Sequence, residues 1–225
     1  MPEQEFSKDT SSRTAKDWAQ GLLVLLAGLI IAHLGVTLFL LSGMGTDTFT
    51  VFIQGLAVRT GFSIGTCHVA VLILLMVVML ITTKGYVKPG TVVCAFCGGW
   101  IIDLFLWLLG GRLNEASPLP VRIVMLLLGC VILGFGMSVA IKSNSGTGPN
   151  DLIAMILSDW INRHKKLAFR WVRIGCDLFF VILGFFLGGT VGIGTIIAAL
   201  LTGPVVQFFL PVSEKIIKKL FPRLG

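Results

Sequence analysis

Six long apolar stretches, separated by short polar segments, set the pattern of this chain. They cover residues 18–41, 64–82, 90–109, 119–141, 168–187 and 191–210, and each has 19 or more residues with few charges. At a rise of about 1.5 Å per residue, each stretch can cross the roughly 30 Å hydrocarbon layer of a bilayer as a helix. Backbone groups inside lipid must bond to one another, which favours helices over open strands. The pattern therefore predicts an all-α polytopic membrane protein.

Two shorter segments, 46–60 and 149–163, are semi-polar, and a helix of about 15 residues is only roughly 22 Å long. Their polar side chains are Asp47, Gln54 and Arg59 in the first and Asn150, Asp151, Asp159 and Asn162 in the second. Helices this short do not span an ordinary bilayer without thinning it. We therefore predict six spans, with the two segments forming broken, re-entrant or interfacial helices. If both segments cross the membrane, the chain has eight spans.

An internal repeat organises these segments. Gly28 and Gly35 recur 101 residues later as Gly129 and Gly136. The run S-G-M-G-T-D at 42–47 returns as S-G-T-G-P-N at 145–150, and the Gly-Thr pair at 90–91 returns at 194–195. The same order at several places indicates a duplicated unit. We predict two homologous repeats, 18–110 and 119–210, joined by a loop at 111–118. Each has three long helices and one short helix.

The distribution of Lys and Arg predicts the orientation. With six spans, fifteen of these residues lie on the side of both termini and only Arg59, Arg112 and Arg122 lie on the other. With eight spans the division is again fifteen to three, but the three residues on the other side are then Lys84, Lys88 and Lys142. The positive-inside rule then makes both termini cytoplasmic, with residues 1–17 as one tail and 211–225 as an amphipathic tail on the lipid surface. The Lys and Arg residues of the cytoplasmic tails and loops account for the net charge of +7. The sequence does not indicate a nucleic-acid partner.

A few ionisable side chains fall inside the predicted spans, where a charge costs several kcal/mol unless it is paired or hydrated. Arg173 and Asp177 are four residues apart on one helix face, so they either neutralise each other or form a gated site. His68 is the position equivalent to Arg173 in the first repeat. Asp103 is either a proton-binding carboxyl or a hydrogen-bonded group near a helix end. His33 is expected to be a packed, hydrogen-bonded histidine.

The two Gly-x-Gly breaks supply the other candidate site residues. Glycine allows the conformations that end a helix, and Thr46 or Asp47 and Asn150 or Asp151 are suitable N-caps for the helix that follows. In transporters with inverted repeats, such half-helix ends face the substrate near the midplane. The alternative is a tight turn at the membrane surface. The predicted substrate-binding residues are therefore Thr46, Asp47, His68, Asp103, Asn150, Asp151, Arg173 and Asp177.

These glycine motifs, together with the G-F-S-I-G-T run at 61–66, resemble those of the bacterial YczE/YyaS/YitT group of integral membrane proteins. The resemblance covers the chain from about Leu22 to Leu210. It implies a bacterial inner-membrane protein of duplicated helical design that is transporter-like. The chain has Thr46-Asp47 where many relatives have Pro-Trp-Asp, whereas the second repeat keeps the proline as Pro149.

Two functions are compatible with this pattern. The first is a secondary transporter or facilitator of a small polar solute, anionic if helix N-termini and Arg173 dominate the site, and cationic if the aspartates do. The second is a non-transporting scaffold or accessory subunit for secretion or biosynthesis, with the glycines at 98–99 and at 184, 188 and 189 as lipid-exposed contact faces. We expect no enzyme activity, cofactor or metal, because no catalytic or metal-ligand spacing occurs. Homo-oligomerisation is left open.

Overall fold

The computed structural model describes residues 13–82, 86–163 and 167–222, and within these ranges the chain is helical without strands. The helices are α1 (Ala15–Ser42), α2 (Thr48–Thr60), α3 (Ile64–Thr82), α4 (Pro89–Leu109), α5 (Leu119–Lys142), α6 (Pro149–Asn162), α7 (Phe169–Leu187) and α8 (Ile193–Leu220). The predicted all-α class is confirmed. Residues 1–12 of the predicted N-terminal tail and 223–225 of the C-terminal tail lie outside the described residues.

Five of the described helices, α1, α3, α4, α5 and α8, are long and apolar enough to cross a membrane. Helix α7 has 19 residues but carries the charged residues Arg170, Arg173 and Asp177, and it is not among these five. The predicted amphipathic tail is not a separate piece. It continues the last apolar stretch as the end of α8, through Pro211 inside the helix.

Helices α1 and α5 cross in opposite directions at the centre of the fold, where four glycines meet. A Cβ atom built on Gly28 would lie 2.9 Å from the carbonyl oxygen of Gly136, and one on Gly35 would lie 2.7 Å from that of Gly129. Any larger side chain would therefore separate the two backbones. The pairing is reciprocal, because the first glycine of each helix meets the second glycine of the other, as in contacts about a twofold axis.

The remaining helices pack around this pair. Helix α4 lies beside α1 and α8 lies beside α5, and Val24 of α1 packs with Ile217 of α8, so the start of α1 and the end of α8 share one end of the molecule. Helix α3 packs on α4, and α2 packs on α7. The outer surface carries many large apolar side chains, including Ile81, Trp107 and Phe186, which are 80%, 79% and 72% exposed. Apolar exposure on this scale is typical of a lipid-facing surface.

Several glycines that the sequence offered as exposed contact faces lie inside the molecule instead. A Cβ on Gly99 would lie 2.1 Å from the carbonyl oxygen of Gly65 in α3, and one on Gly184 would lie 2.6 Å from the backbone nitrogen of Phe52 in α2. That expectation was wrong for these positions. The glycines allow close approach between helices of the same chain.

Each helix break packs against the start of a helix from the other half of the chain. The backbone N–H of Gly194 donates to the carbonyl oxygen of Met44 at 2.8 Å, and the N–H of Gly90 donates to that of Ser145 at 2.9 Å. A Cβ on Gly45 would lie 2.5 Å from the Thr195 hydroxyl. The breaks are therefore fixed in place by backbone contacts between the halves.

Arginines cap the helix ends at both breaks. Arg122 Nε, in the first turn of α5, donates to the carbonyl oxygen of Ser42 at 2.6 Å. Arg13 Nη1, just before α1, donates to that of Asn144 at 3.1 Å. A cation at a helix C-terminus satisfies unpaired carbonyl groups and the helix dipole.

The two breaks share a local pattern of positive φ angles. Gly43 and Asn144 both have positive φ, 60° and 50°, and so do Gly45 and Gly146, at 101° and 138°. The positive-φ positions of segment 42–47 therefore correspond to those of 143–148, which begins two residues before the predicted match at 145–150. Asn144 takes the left-handed conformation that Gly43 takes in the first break. Asn tolerates that conformation better than most residues.

Candidate functional site

The start of α2 is capped by a carboxylate. Asp47 is the N-cap, and its Oδ1 accepts from the backbone N–H of Thr50 at 3.1 Å. The neighbouring Thr46 is 1% exposed, and its hydroxyl lies 3.4 Å from Asp47 Oδ2. The partial positive charge at this helix end is thus already matched by a side chain of the chain itself.

The start of α6 is built differently. Its N-cap is Gly148, which has no side chain to accept from the first turn, and Pro149 occupies the first helical position, where no N–H is needed. Asp151 supplies a negative charge in the first turn. Asn150 Nδ2 lies 3.5 Å from Asp151 Oδ1.

Two side chains of α7 connect these helix starts. Arg173 donates from Nη1 to Asp151 Oδ1 at 2.7 Å and from Nε to Asp177 Oδ2 at 3.2 Å. The hydroxyl of Thr48, at the beginning of α2, donates to Asp177 Oδ1 at 2.8 Å. We call the set Thr46, Asp47, Thr48, Asn150, Asp151, Arg173 and Asp177 the polar cluster.

The polar cluster has an excess of negative groups. Its carboxyl groups belong to Asp47, Asp151 and Asp177, and its single guanidinium belongs to Arg173. Asp47 directly precedes Thr48, whose hydroxyl donates to Asp177. The side chains of Arg173, Asp151 and Asp177 keep 36%, 24% and 30% of their surface exposed, so the ion pairs are partly open. An additional cation would therefore find unbalanced carboxyl groups here.

His68 lies beside this cluster among aromatic rings. It is 7% exposed, and its ring lies edge-on to that of Phe49, the residue after Thr48, with centroids 5.6 Å apart. Phe49 in turn contacts Phe180, which follows Asp177 by three residues on α7. On its other side, His68 meets His33 of α1, with ring centroids 5.6 Å apart.

The hydrogen bonds of Asp103 go to the start of α3. Its Oδ1 accepts from the backbone N–H of Gly65 at 2.8 Å, and its Oδ2 accepts from the Ser63 hydroxyl at 2.5 Å. This carboxylate from α4 therefore caps a neighbouring helix. The other seven predicted residues belong to the polar cluster or, in the case of His68, to the adjacent ring contacts.

Sequence reasoning missed three residues of this region. The polar cluster is connected to His68 by Thr48, Phe49 and Phe180. Residues of these types are common at helix starts and in apolar spans, so the sequence does not distinguish them. Thr48 could have been found, because it follows the predicted N-cap Asp47. Among the residues that the structure describes, no group of three His, Cys, Asp or Glu side chains is arranged to hold a metal ion.

Comparison with known proteins places the chain among similar bacterial sequences. A family described as "Family of unknown function (DUF6198)" matches residues 19–211. An "Uncharacterized protein" of Haemophilus influenzae is 32% identical over 193 residues, covering 86% of this chain and 84% of its own length. The Bacillus subtilis "Uncharacterized membrane protein YczE" is 28% identical, covering 85% of this chain and 86% of its own. "Uncharacterized protein YyaS" of the same organism is 26% identical, with 84% and 91% covered. No solved structure matches significantly.

Proposed function

This chain belongs to the family of helical membrane proteins that includes YczE and YyaS, and we propose that it is a secondary transporter or facilitator of a small polar solute. The observation that carries the proposal is the hydrogen-bonded path from Thr48 through Asp177 and Arg173 to Asp151. This path joins the starts of two short helices, each of which follows a glycine break. Such converging half-helix ends form substrate sites in transporters.

The charges of the polar cluster favour a cationic solute over an anionic one. An anion site at α2 would need unsatisfied N–H groups, but Asp47 already accepts from the first turn. The single guanidinium, on Arg173, is bound by two carboxylates. A solute with an ammonium or guanidinium group could replace Arg173 at one of these carboxylates, which gives a physical basis for exchange between bound and free states.

The crossing of α1 and α5 supports halves of opposite orientation. These helices occupy equivalent positions in the two predicted repeats, and they run antiparallel. The reciprocal pairs Gly28–Gly136 and Gly35–Gly129 fit a twofold axis in the plane of the membrane. In this arrangement α7 counts as the sixth span, with its charged face turned towards the polar cluster. Inverted halves rocking about a central site are a common basis of alternating access.

The orientation that we propose puts both termini in the cytoplasm of a bacterial cell, with the protein in its inner membrane. The molecular end formed by the start of α1 and the end of α8 carries Arg13, Lys142 and Lys218. The opposite end carries Arg122. The positive-inside rule assigns the more basic end to the cytoplasm.

The scaffold alternative has less support. It relied on glycine faces open to a partner, and Gly99 and Gly184 are used for packing between helices of this chain. The ion pairs of Arg173 also connect two helices rather than being satisfied within one.

Ligand-induced thermal stabilisation tests the proposal. Purified protein in detergent is screened against ammonium, guanidinium, neutral polar and carboxylate compounds. A ligand at a hundred times its dissociation constant stabilises the folded state by about 2.7 kcal/mol. We expect hits among the cations. Asp177→Asn should lose them, whereas Asp159→Asn, a carboxylate change on α6 outside the polar cluster, should keep them.

Two results would count against this function. If no compound raises the melting temperature of the wild type, the transporter proposal loses its main support and the scaffold becomes the better reading. If carboxylates stabilise the protein and Asp177→Asn improves their effect, the solute is anionic and the charge argument is wrong.

A further inference from the structure

The tautomer of His33 is set by its own helix. Nδ1 lies 2.7 Å from the carbonyl oxygen of Leu29, one turn earlier in α1. A carbonyl oxygen can only accept, so Nδ1 must carry the hydrogen. In the neutral ring, Nε2 is then a bare acceptor, and its lone pair is available to a donor.

A glycine of α4 creates the space into which this acceptor faces. A Cβ built on Gly98 would lie 2.9 Å from His33 Nε2 and 3.3 Å from His68 Nε2. The two ring nitrogens therefore border the same small volume, which only a residue without a side chain leaves open.

The far nitrogen of His68 lacks a partner. Nδ1 is buried and makes no hydrogen bond within the described part of the chain. A buried polar atom without a partner costs free energy, typically about 1–3 kcal/mol, whether it is a donor or an acceptor. With the single hydrogen of neutral His68 on Nδ1, the Nε2 atoms of both rings are bare acceptors beside the same volume. Uptake of one hydrogen ion then supplies a hydrogen that the two rings can share there.

The surroundings contain few groups that could take that hydrogen ion instead. Helices α2, α4, α5 and α6 pack on α1 or α3. Their titratable or charged side chains, with the N-cap of α2, are Asp47, Arg59, Cys94, Cys97, Asp103, Arg122, Cys130, Lys142, Asp151 and Asp159. The carboxylates among them already accept from Thr50, Ser63, Arg173 or Tyr86. The ring of Phe49 lies between His68 and the start of α2.

We propose that the His33–His68 pair is a binding site for one proton. Two adjacent imidazolium rings would repel each other strongly in a buried site, where no water screens their charges. The pair therefore takes up one proton rather than two and titrates as a unit. The physiological use of the site rests on the proposed transport function: the proton is the coupling ion, held one aromatic ring away from the solute site.

Histidine-selective ¹⁵N NMR of the full-length protein in detergent tests the site without any solute. A His164→Gln background leaves the two rings of the pair as the histidine signals. We expect a single protonation step shared by both rings as the pH falls from about 8 to 4. In Gly98→Ala, the added methyl group would fill the shared space. We expect the two rings of this variant to show separate protonation steps instead of the shared one. Gly203→Ala is the matched control, because nothing lies within 4 Å of a Cβ there.

The outcomes separate this inference from the transport proposal. If both rings stay neutral down to about pH 4, or each binds its own proton independently, the inference is overturned, even if cations still stabilise the wild type. If the shared step appears while no solute binds, the proton site stands and the transport function fails. Since the wild type alone decides the first point, a variant that fails to fold leaves the inference testable.

Discussion

Arg173 Nη1 donates to Asp151 Oδ1 at 2.7 Å, and this contact joins the middle of α7 to the first turn of α6. The same guanidinium binds Asp177 on its own helix through Nε at 3.2 Å. Sequence spacing predicted the second pair, either as a self-neutralising pair or as a gated site. The first pair makes Arg173 a link between helices, which gives it a structural role beside any part in solute binding.

Replacement of Arg173 should destabilise the protein. Arg173→Gln leaves the carboxylates of Asp151 and Asp177 without a counter-charge, and removing one partner of a buried pair costs about 3–5 kcal/mol. Because the side chain is about a third exposed, we expect a smaller loss of roughly 1–3 kcal/mol. Thermal unfolding in detergent measures it. Arg170→Gln, on the same helix, changes only an arginine placed over Trp171 and should have little effect; equal losses would contradict the linking role.

The central helix crossing should not tolerate a methyl group. A Cβ on Gly136 would lie 2.2 Å from the backbone nitrogen of Ala32. Glycine to alanine in a helix normally gains about 0.5–1 kcal/mol, but overpacking at this position should give a net loss of about 1–3 kcal/mol. Comparison of the melting temperatures of Gly136→Ala and Gly203→Ala checks the prediction. If both substitutions raise the melting temperature by similar amounts, the crossing of α1 and α5 has room for a methyl group and the prediction is wrong.

Loss of the Asp103 carboxylate should weaken α3 without changing solute binding. Asp103→Ala removes the acceptor for Gly65 N–H and the Ser63 hydroxyl, and loss of a helix N-cap costs about 0.5–2 kcal/mol. The measurement is thermal unfolding with and without a cationic hit. We expect the melting temperature of Asp103→Ala to be lower than that of the wild type and to rise by the same amount when the ligand is added. If the ligand shift disappears, Asp103 belongs to the solute site, as the sequence predicted.

Tyr86 should make stability fall at alkaline pH. Its hydroxyl donates to Asp159 Oδ2, and this bond, followed by partial burial, raises the pKa of the phenol. Because the pKa is raised in the folded protein, the bond contributes fully to stability below the pKa of tyrosine in the unfolded chain, which is about 10. This contribution is lost as the pH rises through the pKa of Tyr86 in the folded protein. The free energy of unfolding, measured from about pH 8 to 11, should therefore fall more steeply in the wild type than in Tyr86→Phe. Parallel curves would show that the bond does not contribute.

Much of the helical layout could be predicted from hydrophobicity, because apolar length and glycine breaks are local properties. The observed α3 is helical over the predicted residues 64–82, and α2 and α6 follow the predicted breaks. The N-cap Asp47 could also be predicted, since its acceptor role depends only on the residues that follow it.

Other features depend on contacts that are distant in sequence. Asp103 and Gly65 are 38 residues apart, so no local pattern indicates that one helix caps the other. His33 was expected to be a hydrogen-bonded packing residue, and its bond to Leu29 agrees with that. Its approach to His68 depends on how α1, α3 and α4 pack together, which periodicity does not contain.

The glycine crossing of α1 and α5 also constrains the order in which the molecule can be completed. Gly28 and Gly136 are more than a hundred residues apart in the chain, so α1 leaves the ribosome well before its partner exists. Long-range contacts of this kind are the slow ones in folding, and their unpaired surfaces invite wrong association in the meantime. The first half must therefore stay in the membrane with the glycine face of α1 uncovered, and the centre of the protein closes only after α5 has been synthesised.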